Sequence, residues 1–258
     1  MRRLIDSHAH LTFDALAGQV EAVLRRAADA GVGHVVTVGT DLADSRRAVA
    51  LAAAHPNVSA TVGIHPHEAA KATEADLAAV IELAASPGVV ALGETGLDYH
   101  YDFSDRVSQR RVFEAQLAAA AARGLPVIIH CREAFADTVV VLSAARFDGR
   151  PVVFHCFGGS RREAEIVVEH GWWISFTGIL TFKNVGELRE VARTFPPDRM
   201  MLETDCPYLS PEPVRHIRTN EPAHLAHIAR FLADLRGEPV EELADRISAN
   251  TRGFFGLP

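Results

Sequence analysis

Short β-branched runs alternate with Ala- and Leu-rich segments of helical spacing along the whole 258-residue chain, and this alternation limits the fold more than any other feature. The spacing predicts strands over Arg3–Ser7, His34–Val38, Val58–Gly63, Val89–Gly93, Pro126–Ile129, Pro151–Phe154, Trp172–Phe176 and Met200–Glu203. Between them it predicts helices over Asp14–Ala30, Ala43–His55, Thr73–Ala85, Ser108–Arg123, Ala134–Ala144, Arg161–His170, Val185–Thr194 and Glu221–Leu235, with a last one over Val240–Phe254. Strands that alternate with helices pair in parallel through right-handed crossovers. Eight such units in a chain near the usual ~250 residues favour a closed (β/α)8 TIM barrel, of the α/β class, over an open sheet with edges to protect. No linker or low-complexity tract interrupts the pattern, so one domain is expected over residues 1–258. The proline-rich stretch Cys206–Pro213 reads as a long βα loop, because helical pattern resumes after it.

Charge and cysteine content narrow the function classes. The net charge is −7, whereas a protein held to phosphates by nonspecific attraction is usually basic. A nucleic-acid substrate would therefore need attraction from the site itself. Three widely spaced cysteines argue against a disulfide framework and for a reducing cytoplasm. No apolar run reaches the roughly 18 residues of a membrane span. Met1-Arg2-Arg3-Leu4-Ile5-Asp6 turns acidic before a signal-type stretch can form. The expectation is a monomeric cytoplasmic protein without a membrane partner.

The residues that carry chemistry fall at the C-terminal ends of the expected strands. His8 and His10 sit two apart, so on an extended segment both imidazoles point the same way. Glu94 follows the fourth strand, His130 the fifth, His155 the sixth and Asp205 the eighth. In a (β/α)8 barrel those ends converge on the face where active sites sit. Four histidines and two carboxylates exceed what one tetrahedral ion needs. They suit two divalent ions, with Glu94 placed to bridge and Asp205 a ligand and general base for the attacking water. Two ions about 3.5–4 Å apart polarise a phosphoryl or carbonyl oxygen and activate water at neutral pH. Nitrogen and oxygen donors without thiolate suit Zn, Mn, Co or Mg alike. Cys131, Cys156 and Cys206 each follow a ligand candidate and by alternation should face away from it. Trp172 and Trp173 read as core and rim.

Six segments then match a known family in order along the chain: Ile5-Asp6-Ser7-His8-Ala9-His10-Leu11, Gly63-Ile64-His65-Pro66-His67, Gly93-Glu94-Thr95-Gly96-Leu97-Asp98-Tyr99, Ile129-His130-Cys131-Arg132-Glu133, His155-Cys156-Phe157-Gly158-Gly159-Ser160 and Glu203-Thr204-Asp205-Cys206-Pro207-Tyr208-Leu209. The chain resembles the TatD-type metal-dependent deoxyribonucleases of the amidohydrolase superfamily. The resemblance implies that His8, His10, Glu94 and Asp205 hold one ion, and that Glu94, His130 and His155 hold the other. It implies phosphodiester hydrolysis, as a 3′→5′ exonuclease on single-stranded or damaged DNA. Some members are linked instead to hydrolysis of D-aminoacyl-tRNA. His65 matches a position near substrate phosphate, or else one that only orients a ligand. Glu203 is expected to orient a ligand or water, or to cap a loop.

Many amidohydrolases bridge their metals with a carbamylated lysine. The two lysines here, Lys71 and Lys183, lie at unsuitable positions, and Glu94 takes that role. One departure concerns Arg215-His216-Ile217-Arg218-Thr219-Asn220-Glu221-Pro222, where the family tends to carry Arg-Gly-Lys or Arg-Gly-Arg before Asn-x-Pro. Arg215 and Arg218 still suit substrate phosphates. The leading expectation is a metal-dependent nuclease acting on nucleic acid. The others are an ester hydrolase on D-aminoacyl-tRNA with the same site and a catalytically silent metal-binding protein.

Overall fold

A computed structural model describes residues 4–101 and 103–257. Arg3, expected to open the first strand, and Met1 and Arg2 lie outside the described residues. The strands are β1 (Leu4–Ala9), β2 (Val32–Val38), β3 (Val58–Val62), β4 (Val89–Asp98), β5 (Val127–Arg132), β6 (Val152–Phe154), β7 (Trp173–Phe176) and β8 (Met200–Leu202). They form one sheet in chain order, with parallel pairing where register is defined. The first and last strands also meet. Ser7 Oγ donates to the Leu202 carbonyl at 3.0 Å, and the Asp205 amide donates to the His8 carbonyl at 3.0 Å. The sheet is thus the (β/α)8 barrel that the alternation predicts.

The helices are α1 (Asp14–Ala17), α2 (Val20–Asp29), α3 (Leu42–Ala54), α4 (Glu74–Leu83), α5 (Arg106–Arg123), α6 (Phe135–Ala144), α7 (Arg161–Glu169), α8 (Gly186–Thr194), α9 (Leu225–Arg236) and α10 (Val240–Phe255). Local chemistry sets several boundaries. Asp41 and Asp105 cap α3 and α5 by accepting from the Asp44 and Ser108 amides, and Thr73 with Asp76 forms a capping box on α4. The single helix expected over Asp14–Ala30 is two: Gly18 keeps helical backbone angles, and the path breaks at Gln19, with φ −140° and ψ 25°. The segment expected to begin at Glu221 opens as a tight turn, Pro222–His224, before α9. None of the described helices is long and apolar enough to cross a membrane.

The chain divides into two compact units. One comprises the chain up to Thr37, Cys156–Glu169 and the chain from Trp173 onward; the other comprises Val38–His155 and His170–Trp172. The first buries Ile5, Val36, Phe176, Met201, Ile228 and Ile247; the second buries Val62, Leu92, Phe113, Leu117, Ile128 and Phe154. Each such side chain stabilises its unit by roughly 1.5–3 kcal/mol relative to exposure. Trp172 is core, its indole N–H donating to the Phe147 carbonyl at 2.8 Å, and Trp173 packs edge-on to Phe254.

β4 is longer than expected. Its pairing with β5 continues past Gly93 as Thr95↔Ile129, Gly96↔His130 and Asp98↔Arg132. Glu94 and His130 therefore lie on strands, not after them, and so does His8 on β1. Gly93, where the spacing ends the strand, and Gly96 both lie inside the observed strand and do not stop it. They are instead points of close approach: a Cβ on Gly96, at φ +140°, would run into the His130 carbonyl oxygen. Gly96→Ala is expected to destabilise by about 1–3 kcal/mol from backbone strain alone. Chemical denaturation checks this, and an unchanged midpoint would contradict it.

Candidate metal centre

Each unit carries its own cluster of candidate ligands. In the first, β1 presents His8 and the residue beyond its end, His10, on one side. Their Nε2 atoms lie 3.2 Å apart and the rings meet edge to face. Asp205 follows β8 by three residues, and its Oδ1 lies 3.4 Å from His10 Nε2 and 3.7 Å from His8 Nε2. Backbone bonds hold this corner, with the His10 amide on the Cys206 carbonyl at 2.8 Å. Beneath it the buried Asp6 accepts from the Thr204 amide at 2.9 Å and the Thr204 hydroxyl at 2.6 Å. Burial pushes the Asp6 carboxyl up to about 7 against the pull of those bonds. The side-chain amide of Asn220 donates to the Thr204 and Tyr208 carbonyls at 3.0 and 2.6 Å, tying the loop after β8 to the same corner.

The second unit gathers Glu94, His130 and His155, joined by His65, His67 and Asp98. Glu94 Oε1 lies 2.8 Å from His155 Nε2, 2.9 Å from His130 Nδ1 and 3.3 Å from His65 Nε2. Asp98 Oδ2 lies 2.9 Å from His130 Nε2 and 2.7 Å from His67 Nε2. Two glutamines on α5 hold this arrangement by substituting for backbone partners. Gln116 accepts from the Ile64 amide at 2.9 Å and donates to the Ile64 carbonyl at 3.1 Å, fixing the approach to His65. Gln109 accepts from the Asp98 amide at 2.8 Å and donates to the Asp98 and Ser104 carbonyls at 2.9 Å. Both are buried, so each lost bond would strand a backbone group.

The electrostatics favour positive charge here. Burial alone would raise the Glu94 carboxyl, but His155, His65 and His130 hold it well below the ordinary range. Asp98 is likewise lowered, burial being outweighed by His130, His67 and the Tyr101 amide. His130 has a carboxylate oxygen at each ring nitrogen. Burial opposes its protonation, yet the bonds to Asp98 and Glu94 raise its pKa. That demand for a cation is the property of a metal site, and Glu94, His130 and His155 bring one donor atom each within 4.8 Å of the others. His65 differs: burial lowers it to about 4, the effect of Glu94 notwithstanding. Its Nδ1 accepts from the His67 amide at 3.1 Å, so the neutral ring carries its proton on Nε2 and donates to Glu94. The ring thus points as a ligand-orienting residue would.

The remaining expected residues have other partners. Glu203 is buried and accepts from the Ser175 hydroxyl and the Cys156 amide, both at 2.6 Å. Arg215 and Arg218 are exposed on the loop after β8, and the Arg215 guanidinium lies 3.5 Å from the Phe182 ring centre. Cys131, on β5, turns its sulfur to Thr138 on α6 at 3.5 Å, as alternation predicts; Cys156 and Cys206 lie beyond the ends of β6 and β8, where strand alternation does not apply, Cys156 half-buried and Cys206 buried.

The family model for TatD related DNase matches residues 5–256. The chain belongs to the TatD related DNase family. It is 40% identical over 259 residues to the 3'-5' ssDNA/RNA exonuclease TatD of Escherichia coli (strain K12), covering 98% of this chain and 99% of that one. It is 38% identical over 254 residues to the uncharacterized metal-dependent hydrolase YabD of Bacillus subtilis (strain 168), covering 98% and 99%. Among solved structures, the TatD homolog YjjV from Escherichia coli K12 superposes with a TM-score of 0.94 at 32% identity, covering 100% of this chain and 99% of that one.

The lysines of this TatD-family chain stay away from the ligand clusters: Lys71 pairs with Glu68 at 2.8 Å on the surface, and Lys183 follows the turn Gly178–Thr181. Residue types alone missed Asp98, Gln109 and Gln116. Asp98 stood inside a matching segment, but nothing in the spacing marks it as the carboxylate behind His130. The glutamines carry no signal beyond falling on the buried face of α5.

Proposed function

We propose that this chain is a divalent-metal-dependent 3′→5′ exonuclease acting on single-stranded DNA. The observation that carries the reading is Glu94 Oε1 with three imidazole nitrogens within 3.3 Å of it. The TatD relative named as a 3'-5' ssDNA/RNA exonuclease supports the substrate, and RNA strands enter the proposal with it. In this reading Glu94, His130 and His155 hold one ion, and His8, His10, Asp205 and Glu94 hold a second. The nitrogen and oxygen donors fit Zn, Mn, Co or Mg. When bound, such ions supply Lewis acidity toward a phosphoryl oxygen and make water more acidic. Asp205 takes a proton from the water as its oxygen bonds to phosphorus, and one P–O ester bond breaks, the leaving oxygen taking a proton from solvent. His65 keeps Glu94 oriented, and Arg215 and Arg218 meet backbone phosphates. A family model that runs from residue 5 to 256 supports one catalytic domain, proposed to work as a monomer in the cytoplasm.

The test uses chelated protein and a 3′-labelled single strand, with Mg, Mn, Zn and Co added back separately. Hydrolysis should vanish on chelation and return with at least one ion. Hydrolysis that ignores the chelator would sink the proposal. Cleavage of D-aminoacyl-tRNA without cleavage of the strand would move the activity to ester bonds.

Asp98 should act through His130. A carboxylate on the far nitrogen of a ligand imidazole fixes its orientation and raises its basicity. Asp98→Asn is expected to weaken divalent-ion affinity about 10- to 100-fold, measured against a competing chelator. Unchanged affinity would show that His130 does not depend on it.

A further inference from the structure

Beside the second-unit cluster lies a pair of exposed aromatic rings that the hydrolytic reading does not use. Tyr101 is 39% exposed and Phe103 61% exposed. Their rings are stacked, 5.3 Å between centres and 10° from parallel. Burying both would be the ordinary outcome for rings of this size, and the other exposed large apolar residues of this unit, Val107 and Val140, need no account.

The pair is built into the site. Asp98, whose Oδ2 faces His67 and His130, uses Oδ1 to accept from the His100 and Tyr101 amides at 2.9 and 3.0 Å. The far end of the loop is pinned at Ser104, which donates to the His67 carbonyl at 2.8 Å and accepts from the Ala70 amide at 2.9 Å. His67 bridges the two features: its ring stands edge-on to Phe103 at 4.9 Å and lies 5.8 Å from His130. A strand with about 3.4 Å between successive stacked nucleotides crosses that distance within a few residues.

The local charge also fits. In a chain of net charge −7, the exposed Arg132 guanidinium sits 4.7 Å from the Tyr101 ring centre, and Arg106 lies 3.8 Å from that of Tyr99. Among the described acids nearby, Glu133 is engaged with His100 and Asp137 with the Tyr99 hydroxyl, each at 2.7 Å. Aromatic faces beside arginines are how proteins hold single strands without reading sequence.

We propose that Phe103, braced by Tyr101, stacks on a nucleobase of the single strand under hydrolysis, and that Arg132 meets a backbone phosphate beside it. The proposal rests on the nuclease reading and names how its substrate is held. Base stacking on one aromatic contributes roughly 1–3 kcal/mol, or about 5- to 150-fold in affinity.

The test is equilibrium binding by the metal-loaded full chain of a fluorescent, phosphorothioate-linked single strand, and of the same strand made abasic. Phe103→Ala should weaken binding of the base-containing strand about 5- to 150-fold, while Phe103→Trp keeps it. On the abasic strand Phe103→Ala and the parent should bind alike. Equal affinity of Phe103→Ala and the parent for the base-containing strand overturns the platform, provided the parent cleaves ordinary strands. If the parent neither binds nor cleaves single strands, the nuclease reading fails instead, and the platform with it. Dissociation of a dimer by Phe103→Ala in sedimentation, with strand binding unchanged, would reassign the rings to self-association.

Discussion

Glu94→Gln is expected to lower kcat by about 10²- to 10⁴-fold and to reduce the divalent metal that the purified protein retains. The magnitude follows from the several kcal/mol that metal-supplied charge stabilisation contributes, at 1.36 kcal/mol per tenfold in rate. The shape of the side chain is kept and its charge removed. Three imidazoles face Glu94 Oε1, and those imidazoles hold its carboxyl well below the ordinary range. A neutral amide offers one weaker acceptor there and an N–H₂ that competes for space with a cation. The loss should exceed that of Asp98→Asn, because Asp98 reaches the proposed ligands only indirectly, through the ring of His130. Metal content by elemental analysis, beside kcat on a single strand, checks the prediction. Full metal content with parental turnover would remove Glu94 from the centre.

Asp205→Asn should cost about 10²- to 10⁴-fold in kcat while leaving the fold intact, the range for removing a positioned general base. Asp205 has φ +55°, in the left-handed region that asparagine tolerates as well as aspartate does. Its amide still donates to the His8 carbonyl, and its neighbours Thr204 and Cys206 keep their bonds to Asp6 and His10. The backbone therefore has no reason to move. Oδ1, 3.4 Å from His10 Nε2, loses its charge and its capacity to take a proton. A thermal midpoint near that of the parent, together with the fall in kcat, is the expected pair of results. Near-normal hydrolysis would end the assigned role.

Much of the site was legible because its residue types are rare at strand ends. His8 and His10 two apart, and His130 and His155 at the ends of apolar runs, are hard to explain as packing. The extent of β4 was not legible. The spacing ends the strand at Gly93, and only pairing with β5 shows that it continues through Glu94 to Asp98. The split of the first helix is not legible for the opposite reason: the amphipathic pattern runs across Gln19, where the backbone leaves the helical path.

By itself the sequence determined the order of strands and helices, the α/β class, the set of candidate ligands and the family, because periodicity and donor chemistry are local properties of residues. The tertiary structure alone decided which atoms meet. It gave Asp98 two separate tasks, one oxygen on His67 and His130 and the other on the Tyr101 loop. It aimed Gln109 and Gln116 at backbone groups 11 and 52 residues away. It left Phe103 exposed beside the cluster instead of buried. Such contacts depend on strand register and on how α5 packs over β4, and no pattern in the intervening chain encodes either one.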